Sequence, residues 1–299
     1  MNHKPLPSLD EVVLGAFLED IGKFMQRAIG SSRLMPAAVA ARASDVLPAY
    51  QGRSSHWHAL WSDAFFHELE QRGLTLPGGM NLSDVRNAAV YHHKPLTPLH
   101  WLSAEADRLS AGMDRKPRDE AEESSDSGRD RYQRVALRSI FAGVDLGLAD
   151  STTSMDRQCY KVEELTPLAL CPGQVDGDAQ KQGYATLWPR FVEAFAQLCR
   201  TAPSVELFHE GVVSLSERFT WAIPSSTIDQ PDVPLHDHNK SVAAVAACLY
   251  RFHTAQGTLD DEAAIRDRRK QKYRFLIGDL SGIQSSLFRL ASQQVKGAA

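Results

Sequence analysis

The sequence predicts a mainly α-helical protein, and three observations support that class. Apolar residues recur at helical spacing over long stretches, as Val12, Val13, Ala16, Phe17 and Phe24 do between Leu9 and Ala28. Residues that cap helices stand before several such stretches, and glycines stand after them. The 299 residues, 43% hydrophobic and 23% charged, are ordinary for a globular chain able to bury one or two cores.

In chain order, a first helix runs from Leu9 to Ala28, with Ser8 or Asp10 as its cap and Gly30 as its stop. A second comes after the Gly52-Arg53 turn, reads SSHWHALWSDAFFHELEQRG and ends at Gly73. A third opens at Asn81-Leu82-Ser83-Asp84 and runs to the Lys94-Pro95 break, and a fourth covers about Thr97 to Met113. Together they make a compact helical domain over residues 1–113. Residues 114–134 hold six Lys or Arg, seven Asp or Glu and almost nothing to bury, so they read as a disordered charged linker.

Residues 135–270 form a mostly helical mixed region. RVALRSIFAGVDL and YKVEELTPLAL are short elements, Leu187 to Cys199 an amphipathic helix, and Leu207 to Trp221 another that ends at Ile223-Pro224. LHDHNKSVAAVAACLYRF is an Ala-rich buried helix whose small side chains allow close packing. Residues 271–299 begin with RFLIGDLSGIQSSLF, which parses as strand, tight turn and helix.

A formal charge of −4 gives no global basic field, although local basic grooves remain open. No apolar stretch approaches the ~20 residues needed to cross a bilayer, and the N-terminus has no signal pattern. The four cysteines form no C-x-x-C pair, which argues against a zinc ribbon and a disulfide framework and for the cytoplasm.

The histidines carry the chemistry. Asp20 sits in LEDIGKF, His56 and His58 in SSHWHALW, His92 and His93 in VYHHKP, and Asp107 in AEADRLS. His and Asp supplied by separate helices suit divalent metals, and such ions activate water and neutralise phosphate charge. Lys23, three residues after Asp20 on the same helical face, is positioned to meet a phosphate oxygen.

LGAFLEDIGKFMQRA resembles the opening of an HD-superfamily phosphohydrolase domain, whose usual pattern is L-L-H-D-I-G-K. YHHKP and ADRLSAGMDR resemble the later motifs of one branch of that superfamily, the large subunit of type III-A (Csm) CRISPR effector complexes. FTWAIPSST, DVPLHDHNKSVAAVAACL and RFLIGDLSGIQSSLF continue the resemblance through that subunit's segment before its first palm domain and into the palm's first strand and helix. The resemblance covers most of the chain in the family's motif order. It implies an α+β, ferredoxin-like palm beginning at 271–299, and a chain that stands for an N-terminal portion. The palm's G-G-D-D turn is not in this sequence, so no cyclic oligoadenylate synthesis is expected from it.

The same resemblance implies that Asp20 contacts or bridges the metals, that His58, His92 and Asp107 ligate, and that Lys23 corresponds to the Lys of D-I-G-K. His93 is either a ligand or a hydrogen-bonded support. The family's His before Asp20 is Glu19 here, a harder and negatively charged ligand. The expected cofactor is therefore a divalent metal, Mn2+, Ni2+ or Mg2+, as one or two ions. His236, Asp237 and His238 form a further cluster, open either to metal ligation or to Asp237 and His238 capping and anchoring the Ala-rich helix, with the second reading preferred. The basic run from Arg266 to Arg274 fits either an RNA backbone contact or a solvated helix end.

Hydrolysis of single-stranded DNA is the function implied, with Trp57, Trp61, Arg108 and Arg115 as candidate strand contacts. Implied partners are the crRNA-bound effector subunits, including the small subunit and the crRNA 5′-end subunit, with no membrane. One alternative is a catalytically silent scaffold in which Glu19-Asp20 marks a degenerate site. Another is a free-standing phosphohydrolase of nucleotides, which leaves GDLSGIQ unexplained.

Overall fold

A computed structural model of the chain describes residues 6–111, 131–143, 158–227, 231–279 and 281–282. These residues are mainly helical, with two small antiparallel strand pairs. The first is β1 (Ala49–Tyr50) with β2 (Arg53–Ser54), and the second β3 (Leu137–Arg138) with β4 (Cys159–Tyr160).

Residues 9–28 do not form one helix. They form α1 (Leu9–Phe17) and α2 (Ile21–Ile29), separated by a turn at Leu18, Glu19 and Asp20. Ser8 caps α1 in a reciprocal box with Glu11, and Gly30 ends α2 at φ 77°. The break is held from outside. The Ser62 hydroxyl accepts from the Gly22 amide at 2.9 Å and donates to the Glu19 carbonyl at 2.5 Å. Leu18 and Ile21 stay buried through the turn, so the apolar spacing continues and conceals the break from a sequence reading.

Short helices α3 (Ala37–Ala40) and α4 (Ala43–Val46) and the first hairpin fill the space before the next long helix. Gln51 and Gly52 turn that hairpin at φ 47° and 76°, as a tight two-residue loop requires. The sequence reading assigned none of these short elements except the Gly52-Arg53 turn. The long helix α5 (Trp57–Gln71) leads, past Gly73 at φ 63°, to α6 (Leu82–Val90). The Asn81 side chain caps α6, accepting from the Ser83 and Asp84 amides. Helix α7 (Pro98–Ala111) begins on a proline, which has no amide to lose there.

Most of the expected charged linker lies outside the described residues, but Arg131–Arg134 form a helical turn, α8. Gln133 is buried there and donates to the Arg27 carbonyl at 2.5 Å. Helix α9 (Gly177–Thr201) starts ten residues before the expected Leu187, because Asp176 caps a polar first turn. Helices α10 (Val205–Thr220), α11 (Leu235–Gln256) and α12 (Glu262–Arg266) complete the set.

The main core joins α2, α5, α9 and α10 through aromatic rings. Phe24 meets Trp188 at 5.1 Å between centroids, and Phe65 meets Phe195 at 5.4 Å. Each such side chain contributes about 2–3 kcal/mol by burial. A second cluster of smaller residues, including Val12, Ala16, Ala106, Val242 and Ala246, joins α1, α7 and α11. Small side chains let these three helices approach closely, so α11 reaches the turn between α1 and α2. Residues 271–279 form no strand; Phe275, Leu276 and Ile277 are exposed, with no sheet partner among the described residues. The helix expected after them lies outside the described residues.

Candidate metal centre

The turn between α1 and α2 aims two buried carboxylates, Glu19 and Asp20, at one point. Four other elements meet them there: α5 with His58, the segment after α6 with His92 and His93, α7 with Asp107, and α11 with His238. Gly22 makes this convergence possible. A β-carbon at that position would lie 2.0 Å from the His58 carbonyl oxygen, so only glycine lets α2 approach α5 so closely.

Asp20 faces two ways. Its Oδ1 lies 3.3 Å from His58 Nε2 and 4.0 Å from His92 Nε2. Its Oδ2 lies 2.5 Å from Lys23 Nζ and 3.3 Å from His238 Nε2. His238 Nε2 is also 3.5 Å from Glu19 Oε1 and 3.4 Å from Asp107 Oδ1. His58 and His93 bring their Nε2 atoms to 2.8 Å of each other. Two groups of ligand atoms result, each within 4.8 Å: His58, His92 and His93, and Glu19, Asp20 and His238.

The donor atoms suit a divalent cation. His92 Nδ1 lies 2.6 Å from the Ala89 carbonyl, which places the proton on Nδ1 and leaves Nε2 with a lone pair. That Nε2 is buried with no hydrogen-bond partner, and so are both Glu19 carboxylate oxygens, Asp20 Oδ1 and His238 Nε2. Buried polar atoms are rarely left in this state, and five of them converge here.

Electrostatics divides the groups further. Burial pulls His58 and His93 well below the usual histidine range, with the neighbouring imidazoles adding to the effect. Neutral imidazoles are the form that ligates. Burial raises the Glu19 carboxyl to about 7, against the opposing pull of His92. At Asp20 burial also pushes upward, but Lys23, His58 and His238 outweigh it and hold the carboxyl well below its usual range. Asp107 is likewise lowered, burial being overcome by the attraction of His238, 3.4 Å away. His238 itself goes well above its usual range: burial opposes its charge, but the attraction of the Asp107, Asp20 and Glu19 carboxylates around it prevails.

All six ligand candidates from the sequence, Glu19, Asp20, His58, His92, His93 and Asp107, therefore stand in one cluster. Lys23 is tied to Asp20, where it orients and charge-balances that carboxylate. At His238 the structure corrects the preferred capping reading. Pro234 occupies the N-cap position of α11, Asp237 is exposed, and His238 points into the carboxylates rather than capping the helix. The cluster thus extends beyond residues 1–113. A signal existed: His238 shares the buried stripe of Leu235, Val242, Ala246 and Leu249. Trp61 is also corrected, because it is a core residue, whereas Trp57 is exposed. Arg108 lies over Trp101 at 5.1 Å and bonds Glu105, and Arg115 is outside the described residues.

Fold and cluster together define a helical protein with a His–carboxylate candidate metal centre built across five segments. No protein-family model matches the chain. The single-strand-specific deoxyribonuclease Cas10/Csm1 (subtype III-A) of Methanocaldococcus jannaschii is 25% identical over 95% of this chain and 36% of its own length. The protein of that name from Mycobacterium tuberculosis is 24% identical over 96% of the chain and 35% of its length. The crystal structure of Csm1 from T. onnurineus overlays with a TM-score of 0.48 at 18% identity, covering 81% of this chain and 29% of that one. The chain is similar to the large subunit of type III-A CRISPR effector complexes, in its N-terminal portion, and spans about a third of the length of these relatives.

Proposed function

We propose that the chain provides the nuclease centre of a type III-A effector large subunit, hydrolysing single-stranded DNA with divalent metal in antiviral defence. The observation that carries this reading is the buried, unpartnered His92 Nε2, its ring fixed by the Ala89 carbonyl at Nδ1. It lies 4.0 Å from the unpartnered Asp20 Oδ1 and beside the unpartnered oxygens of the buried Glu19 carboxylate. Glu19, Asp20, His58, His92, His93, Asp107 and His238 are the residues that would hold the ions, Mn2+, Mg2+ or Ni2+, with His238 giving up its proton as it ligates. A divalent cation supplies charge neutralisation for a phosphodiester and lowers the pKa of water.

The chain's own groups do the rest. Asp20 spans both ligand groups, and Lys23 fixes its second oxygen. Ser62 holds the turn that aims both carboxylates. His56 and His93 are half-buried, which makes their side the way in for a strand. The exposed Trp57 is next to His56 and offers a face for base stacking without sequence preference. The crRNA-bound subunits, including the small subunit and the crRNA 5′-end subunit, are the partners of this reading, in the cytoplasm. The names of the relatives support both the DNA substrate and the type III-A setting.

One observation favours a silent scaffold instead: His238 lies within 3.5 Å of three carboxylates and so partly neutralises the cluster without any metal. The test is cleavage of an end-labelled single-stranded DNA in Mn2+, comparing the chain with Asp20→Ala. The nuclease reading requires cleavage that the variant loses. Two folded proteins that both leave the DNA intact would support the scaffold.

A further inference from the structure

The two ligand groups that share Asp20 are chemically unlike. On one side stand three imidazoles, His58, His92 and His93, with all ligating nitrogens within 4.8 Å. The carboxylate oxygen nearest His58 Nε2 is Asp20 Oδ1, at 3.3 Å. On the other side stand Glu19, Asp20 Oδ2 and Asp107, gathered around the single nitrogen His238 Nε2 at 3.3 to 3.5 Å. The first group offers borderline nitrogen donors with little negative charge. The second offers hard oxygen donors carrying up to three negative charges. Unpartnered buried atoms lie in both: His92 Nε2 in the first, and Glu19 Oε1, Glu19 Oε2 and His238 Nε2 in the second.

Ions sort by such differences. Imidazole suits Zn2+, Ni2+ and Co2+, whereas carboxylate suits Mn2+ and Mg2+. Every divalent first-row site still prefers Zn2+ to Mn2+ in raw affinity, so selectivity shows as the order of filling when Zn2+ is scarce. Glu19 sets the contrast, because a histidine there would give the second group two nitrogens. We infer that the centre is heterometallic: a nitrogen-preferring ion of the zinc class sits among His58, His92 and His93, and an oxygen-preferring ion of the manganese class among Glu19, Asp20, Asp107 and His238. Asp20, whose Oδ1 faces His58 and whose Oδ2 faces His238, would be shared by the two groups, and Glu19 is the residue that would keep the ions different. The inference rests on the reading of this cluster as a divalent metal centre.

The test reads metal content and spin, independently of DNA cleavage. Chelator-treated protein is loaded with one equivalent of Zn2+ and an excess of Mn2+, desalted, and measured by elemental mass spectrometry and electron spin-echo spectroscopy. The expected result is one Zn and one Mn per chain, with the Mn2+ echo modulated by a single histidine nitrogen. Glu19→His, with folding verified by circular dichroism, should add a second nitrogen coupling to the remaining Mn2+. When offered a second equivalent of Zn2+, it should give up that Mn2+ more readily than the unsubstituted chain. Mn2+ coupled to several histidine nitrogens in the unsubstituted chain would overturn the inference, as would loss of all bound Mn2+ to a single equivalent of Zn2+. Absence of any bound metal would overturn both the inference and the metal-centre reading. Bound Zn and Mn in a chain that leaves DNA uncut would remove only the nuclease.

Discussion

Gly22 lies so close to the backbone of His58 that a β-carbon on it would sit 2.0 Å from the His58 carbonyl oxygen and 2.3 Å from the Ser62 amide. Both contacts are with backbone atoms, so a side chain there cannot be relieved by a rotamer change. Gly22→Ala should push α2 off α5 and cost about 2–3 kcal/mol, the range for overpacking a tight contact. Urea denaturation reads the loss. Because the same shift moves Asp20 away from His58, Mn2+ affinity should fall as well, and unchanged stability would show that the helices are not so tightly apposed.

Metal should stabilise the folded chain. Ligand atoms from five segments meet at one point, and a metal that binds only the folded form adds about 2.7 kcal/mol at a hundredfold excess over Kd. Thermal denaturation in Mn2+ should therefore show a midpoint that rises with concentration and returns after chelation. His92→Ala should abolish most of that dependence. It also loses the buried Nδ1 bond to the Ala89 carbonyl, so the Mn2+-free midpoint should fall as well, but adding Mn2+ should no longer raise it.

His238→Ala should respond to Mn2+ in the opposite way. It removes the one nitrogen shared by Glu19, Asp20 and Asp107 and leaves three buried carboxylates facing one another. Breaking a buried ion pair by removing one partner costs about 3–5 kcal/mol. The loss should appear in metal-free protein and shrink when Mn2+ is added, a pattern that a packing defect would not produce.

His100 supplies a pH dependence away from the cluster. It stacks on Tyr91 at 4.6 Å, its Nδ1 accepts from the Leu96 amide at 3.2 Å, and burial lowers its pKa to about 4. The unfolded chain protonates this imidazole near pH 6.5, but the folded chain does so only near 4. Its contribution to stability is thus fully present above pH 6.5 and is lost as the pH falls from there to 4. His100→Gln should flatten the stability profile across that window, as measured by urea midpoints at successive pH values.

A structural network next to the cluster gives a further check. Asp63 is fully buried, and its Oδ1 accepts from Arg42 at 2.5 Å and from Arg86 at 2.6 Å. Asp63→Ala leaves two guanidinium groups without their shared partner and should cost about 3 kcal/mol. Metal binding should be retained, because Asp63 is engaged by the two arginines and not by the ligands. A loss of under about half a kcal/mol in urea denaturation would contradict the network's role.

The long amphipathic elements and most members of the candidate cluster were legible because their signals are local: apolar spacing for α5, α10 and α11, and rare residue types at His58, His92, His93 and Asp107. The break at Leu18 to Asp20 was not legible. It depends on Ser62, about forty residues away, and the apolar spacing runs straight through it. The polar first turns of α9 were missed for a related reason, since Asp176 caps them and Gln180 is buried there by bonding the Tyr160 carbonyl and Val162 amide. For His238 the sequence favoured a helix anchor over the metal reading it also allowed, because its neighbours lie on α7 and the distant Glu19-Asp20 turn, a relation no linear motif displays. The strand expected at Phe275 to Ile277 needs a neighbouring strand, and among the described residues none pairs with it.

The most direct measurement is anomalous diffraction at the manganese edge from crystals grown with Mn2+. A peak within about 2.0–2.5 Å of an Asp20 oxygen and of at least one cluster histidine nitrogen, absent from Asp20→Ala crystals, is the predicted result. Ordered Glu19, Asp20, His92 and His238 side chains with no peak between them would contradict the metal centre.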